Sequence, residues 1–117
     1  MVLTIDFESA VPIYAQLKNA LIAGMASGEL SPGSALPAIR PLGQMLGINM
    51  HTVAKAYASL RQEGFVETKR SGSFVAEKFD RGKILMSIQD DLAVLRDKAR
   101  CAGLDPNALL RKLSEKD

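Results

Sequence analysis

The stretch from Leu46 to Val75 constrains the fold more than any other part of the chain. Leu46-Gly47-Ile48-Asn49 reads as a tight turn, and an amphipathic segment from Met50 to Glu63 follows, stopping at Gly64. Two short β-like runs come next, Phe65-Val66-Glu67-Thr68 and Ser73-Phe74-Val75, joined by the basic tip Lys69-Arg70-Ser71-Gly72. With a helix ahead of the turn, this order describes a winged helix-turn-helix, in which one helix enters the DNA major groove beside a charged loop. The expected class is mainly α with a small β-hairpin (α+β), closed by two C-terminal helices.

The rest of the chain fits that frame. Met1 to Glu8 alternates and reads as a short strand or an ordered arm. Ser9 reads as a cap and Pro12 as a first-turn residue of helix one, whose inward stripe is Tyr14, Leu17, Leu21, Ile22 and Met25. Gly28 ends it, and Pro32-Gly33 marks a turn. Leu36-Pro37-Ala38 introduces helix two, with Ile39, Leu42 and Leu46 inward and Pro41 in the first turn, where no helical N–H bond is lost. Gly43 suggests close helix packing, and Gly47 supplies the positive φ of a helix end. Asn49 is a good cap for helix three, with Val53, Ala56, Tyr57 and Leu60 inward. Its other side presents Met50, His51, Ala54, Lys55, Ala58 and Ser59.

Arg81-Gly82-Lys83 reads as a hinge before a long helix that runs to about Arg100. Leu85, Ile88, Leu92, Leu95, Ala99 and Ala102 recur at alternating spacings of three and four, a coiled-coil-like seam with nothing left to cover in the winged unit. Gly103 breaks the helix, and Asp105-Pro106 opens a last one with Leu109, Leu110 and Leu113 on one face. The expected domains are 1–78, a DNA-binding unit, and 79–117, a helical tail. Leu85, Ile88, Leu92, Leu95, Ala99, Leu109 and Leu113 form the expected homodimer surface. The alternative is packing of that stripe inside one chain.

Charge sharpens the picture. The net charge is only +2, but residues 1–37 carry −2, residues 38–72 carry +3 and residues 73–117 carry +1. The excess gathers where phosphate would be neutralised, although +3 also suits an ordinary surface. One cysteine, Cys101, excludes an internal disulfide. With no basic n-region at the start, the reading is a reducing, cytoplasmic setting. No run of 18 apolar residues exists. A single His, no Cys-x-x-Cys, no Gly-rich phosphate loop and no nucleophile elbow argue against an enzyme, a metal or a cofactor.

Groove binding needs polar side chains on the first turns of a helix and a second basic element for the flanking backbone. Asn49, His51, Thr52 and Lys55 supply the first. Lys69 and Arg70, with Ser71 and Gly72 at the tip, supply the second, and Arg40 reaches the phosphate that helix two crosses. Each has a plainer role. Asn49 serves equally as a helix cap alone, Thr52 as a local capping or packing residue, and His51, Lys55, Lys69 and Arg70 as solvated surface groups. The expected partner is double-stranded DNA. A winged helix used for protein–protein contact is the rival reading, favoured by Met50, Ala54 and Ala58 and opposed by the four cations.

Pro12-Ile13-Tyr14-Ala15-Gln16-Leu17, Ala26-Ser27-Gly28-Glu29-Leu30-Ser31-Pro32-Gly33 and Leu36-Pro37-Ala38-Ile39-Arg40 resemble the GntR family of bacterial transcription regulators. So do Leu46-Gly47-Ile48-Asn49, Thr52-Val53, Lys55-Ala56-Tyr57, Leu60, Glu63-Gly64 and Ser71-Gly72-Ser73-Phe74-Val75. The likeness covers about residues 9–77, and the short helical tail is similar to the YtrA-type subfamily, whose two C-terminal helices build a dimer. The resemblance implies that Arg40 meets phosphate or base, that Asn49, His51 and Thr52 face the operator, and that Gly72 approaches the minor groove. The reading is a homodimeric repressor of a pseudo-palindromic operator, and the YtrA-type resemblance implies control of a neighbouring transporter operon. The chain departs from the family pattern at Ala38, often Ser; at Met50, often Pro or Arg; at Ala54, often Arg; and in a wing tip one residue short. About 40 residues follow the wing, too few to enclose a ligand pocket of roughly 300–1,000 Å³ in one subunit. Any small-molecule effector would sit between subunits or between tail and reading head.

Overall fold

Helix α1 (Ile13–Ser27) turns Leu17, Leu21 and Met25 inward, as the spacing predicts. The coordinates are a computed structural model and describe residues 3–115. Pro12 takes the N-cap position with no side-chain cap, so Ser9 is not the cap expected of it. Its Oγ instead accepts from the Val11 amide (3.1 Å), closing a turn ahead of the helix. Gln16 holds the incoming arm. Its Oε1 accepts from the Asp6 amide, and its Nε2 donates to the Asp6 and Val11 carbonyls, each at 2.9 Å. From Leu3 onward the arm is irregular rather than a strand, and Leu3 and Ile5 pack on the core. Met1 and Val2 of that expected segment lie outside the described residues.

Helices α2 (Ile39–Leu46) and α3 (Met50–Gln62) complete the triangle. Leu42, Val53, Ala56, Tyr57 and Leu60 join the α1 stripe in one core, with Ile39 and Leu46 half-buried at its edge. The Tyr57 hydroxyl donates to the Pro37 carbonyl (2.7 Å), fastening the lead-in of α2 to α3. Burial pushes the Tyr57 phenol up to about 12, because the phenolate would lose its hydration. Unfolded tyrosine ionises near 10, so this contribution to stability is complete below pH ~10 and falls away as pH rises toward 12. The thermal midpoint of the wild type is therefore expected to drop more steeply over that range than that of Tyr57→Phe. Parallel curves would show that the phenol does not titrate with unfolding.

Strands β1 (Val66–Lys69) and β2 (Gly72–Val75) pair antiparallel, Val66 opposite Val75 and Lys69 opposite Gly72, leaving Arg70-Ser71 as the turn. Val66 and Val75 point into the core. A third short stretch lies along β2. The Leu36 amide donates to the Ser73 carbonyl and the Val75 amide to the Ser34 carbonyl, each at 2.9 Å, and Ala35 bridges Phe74. The sequence reading missed this edge, because Ser34-Ala35-Leu36 sits between Pro32 and Pro37 and is too short to alternate.

Gly64 joins α3 to β1 at φ +93°, and a Cβ there would meet the Asp80 Cβ at 2.8 Å and the Asp80 carbonyl oxygen at 3.0 Å. Gly64→Ala adds backbone strain to that clash, together about 2 kcal/mol. A fall of roughly 10 °C in the thermal midpoint is expected. An unchanged melting curve would contradict the packing described.

Helix α4 (Arg81–Ala102) begins where the sequence suggested a hinge. Asp80 is the reason: its Oδ1 accepts from the Lys83 amide (3.1 Å), its carbonyl from the Ile84 amide, and its own amide donates to Gly64. Arg81-Gly82-Lys83 is thus the capped first turn of a helix. Phe79 packs edge-on to Phe65, with ring centroids 5.9 Å apart.

The chain divides into two compact units between Ile84 and Leu85, inside α4. In the second unit α4 runs to Ala102, and α5 (Pro106–Glu115) follows a turn in which Asp105 Oδ1 accepts from the Asn107 amide (3.0 Å). Ala99 is buried there and Leu95 half-buried. Leu85, Ile88 and Leu92 remain 55%, 46% and 42% exposed, and Leu109 and Leu113 are exposed as well. No helix among the described residues is long and apolar enough to cross a membrane.

Candidate nucleic-acid interface

Asn49 stands at the head of α3 with extended backbone, and its Oδ1 accepts from the His51 amide (2.8 Å). The cap orients His51, which is exposed, while Thr52 beside it is half-buried. The α2–α3 turn is drawn tight by Gly43, where a Cβ would lie 3.0 Å from the Ile48 carbonyl oxygen and 3.4 Å from the Met50 Cα. A bulkier residue would push the two helices apart. Between them lies an open concavity of about 320 Å³ lined by Arg40, Gly43, Gln44, Gly47, Ile48 and Met50. Arg40 is exposed there, on the first turn of α2.

The wing is tied to the same framework. Arg61 on α3 donates from Nη1 to the Thr68 hydroxyl (3.0 Å), linking helix and hairpin. Lys69, Arg70, Ser71 and Gly72 are all exposed at the tip. The Lys69 ammonium lies 5.1 Å from the Phe74 ring centroid and 4.0 Å from Glu77 Oε1. An ion pair this exposed adds little stability, so it leaves the charge available to a stronger anion. Gly72 has φ +141° and open space where a Cβ would stand.

The predicted residues thus form two groups within the first unit. Arg40, Asn49 and His51 sit around the α2–α3 turn, and Lys69 to Gly72 share the wing tip. Lys55 stands apart. Its ammonium lies 4.1 Å from the Tyr14 ring centroid, so its charge leans toward α1. The sequence reading placed Met50 on the outward face of α3, as a residue favouring protein–protein contact and as a departure from the family pattern, but not among the DNA-contacting residues, and it passed over Gln44. The available signal was an apolar side chain at the first, solvent-facing position of a helix. It also passed over a supporting brace, in which Lys18 of α1 pairs with Glu63 and the Ser59 hydroxyl donates to the same carboxylate (3.0 Å). Among the described residues no cluster of three His, Cys, Asp or Glu side chains could hold a metal ion.

Comparison with known proteins bears on the family and the fold. The family model described as "Bacterial regulatory proteins, gntR family" matches residues 12–75. The HTH-type transcriptional repressor YtrA of Bacillus subtilis (strain 168) is 35% identical over 116 residues, covering 95% of this chain and 85% of its own. The solved structure of YtrA from Sulfolobus acidocaldarius, a GntR-family transcription factor, is 42% identical with a TM-score of 0.64, over 80% of this chain and 99% of its own. The DNA-binding domain of AraR, solved in complex with operator ORX1, is 28% identical with a TM-score of 0.58, over 65% of this chain and 99% of its own.

Proposed function

The chain belongs to the GntR family of bacterial regulatory proteins, DNA-binding transcriptional regulators and not enzymes, and on that premise we propose that it is a homodimeric repressor of a pseudo-palindromic operator. Helix α3 enters the major groove, with Asn49, His51 and Thr52 toward the bases. Arg40 holds the phosphate beside the α2–α3 turn. Lys69, Arg70 and the Ser71-Gly72 tip follow the neighbouring backbone, and Lys55 lends its charge at the edge of the helix.

The observation that carries the dimer is the apolar stripe of α4. A single chain leaves Leu85, Ile88 and Leu92 about half exposed to water, and a row of that kind at heptad spacing is the surface a second helix covers. Two reading heads double the base contacts and impose two-fold symmetry on the site, with half-sites about one helical turn (~34 Å) apart or at a related spacing. Selection of bound duplexes from a random pool, at fixed salt, tests the reading. Enrichment of an inverted repeat is expected. An asymmetric single element would remove the dimer from the reading, and no enrichment at low salt would remove the operator.

A further inference from the structure

Met50 is the first residue of α3, apolar and yet 37% exposed. It shares the rim of the α2–α3 concavity with Arg40 and Gln44. A Cβ at Gly43 would stand 3.4 Å from the Met50 Cα, so the glycine lets α2 run close beneath it. Ala54, one helical turn further on, is too short to displace it from a surface lying along that face. A thioether offers only a weak acceptor, so Met50 contributes to recognition chiefly by burying apolar surface. On the base edges of the major groove the apolar group is the C5 methyl of thymine; cytosine, adenine and guanine present polar atoms there. A domain of the same fold has been solved on operator DNA.

We infer that Met50 packs on a thymine methyl and selects thymine at one position of each half-site. The inference rests on the operator reading above and adds a base identity to it. Arg40 and Gln44 flank the contact with polar groups suited to phosphate and base edges, and Met50 excludes water between them.

Replacing thymine by deoxyuridine removes the methyl group and leaves every hydrogen-bonding atom in place. In the duplex selected from a random pool, each thymine is exchanged in turn and binding to the full-length protein is measured. The wild type is expected to lose about three- to fivefold in affinity at one thymine per half-site, the effect of withdrawing one methyl-sized apolar contact. Met50→Ala is expected to bind the thymine and deoxyuridine duplexes equally at that position, with an unchanged circular dichroism spectrum and salt slope. Equal binding of both duplexes by the wild type overturns the inference and leaves the operator reading standing. Retained discrimination in Met50→Ala assigns the methyl to another side chain and equally overturns it. Failure to bind any duplex at low salt removes the operator reading and this inference together.

Discussion

Ile88→Asp/Leu92→Asp is expected to sediment as a monomer and to bind the full operator on the order of a hundred- to a thousandfold more weakly than the wild type. Both side chains are substantially exposed in the single chain, at 46% and 42%. A carboxylate at either position meets water in the monomer, so helix content and the melting of the first unit should change little. In the proposed dimer the same carboxylates would face an apolar seam and one another, and a buried, unpaired charge costs several kcal/mol. Operator affinity falls with assembly because linked heads engage the second half-site at high effective concentration, a gain of roughly 10²–10⁴ that separate heads forfeit. Binding to an isolated half-site should be unchanged. Sedimentation of the variant as an intact dimer would place the subunit contact elsewhere. Loss of half-site binding would show that the substitutions damage the reading head.

Much of this fold is legible in the sequence because its signals are local and redundant. The α3 face repeats at helical spacing, and Asn49 and Gly64 bracket it, so period and caps agree. Val53, Ala56, Tyr57 and Leu60 are all buried as that period requires. What stayed hidden depends on partners distant in the chain. The Ser34–Leu36 edge exists because β2 offers it carbonyls and amides, which three residues between prolines do not announce. Arg81-Gly82-Lys83 looks like a hinge until Asp80 is seen bonded both to the Lys83 amide and to Gly64. Ser9 looks like a cap until Gln16, ten residues from Asp6, claims the approach to α1. The candidate site divides in the same way. Asn49 as cap and the basic wing tip follow from residue type and place. The lean of Lys55 toward Tyr14 and the membership of Met50 in the concavity with Arg40 are visible only once the helices are packed.

Arg40→Ala is expected to weaken binding by about tenfold per subunit on every duplex, operator or random, whereas His51→Ala should spare random duplexes and relax preference at one position per half-site. The contrast follows from position. Arg40 is exposed at the start of α2 and points a permanent charge at the open concavity, and a charge-assisted bond to phosphate is indifferent to sequence. Removing one phosphate contact per subunit releases about two fewer counterions per dimer, so the log–log salt slope should become shallower by roughly 1.8. Lys69→Ala/Arg70→Ala should lower the slope by about twice that amount if both tip cations meet phosphate. Lys69 gives up an exposed pairing with Glu77 and its contact with the Phe74 ring on binding, which together offset little of the gain. His51 differs because its amide is fixed by the Asn49 cap, so the imidazole is presented from the first turn of α3, where donors and acceptors read base edges. Its loss should leave the salt slope nearly unchanged. A sequence-dependent effect of Arg40→Ala with an unaltered slope would make Arg40 the base reader, and a uniform effect of His51→Ala would move that residue to the backbone.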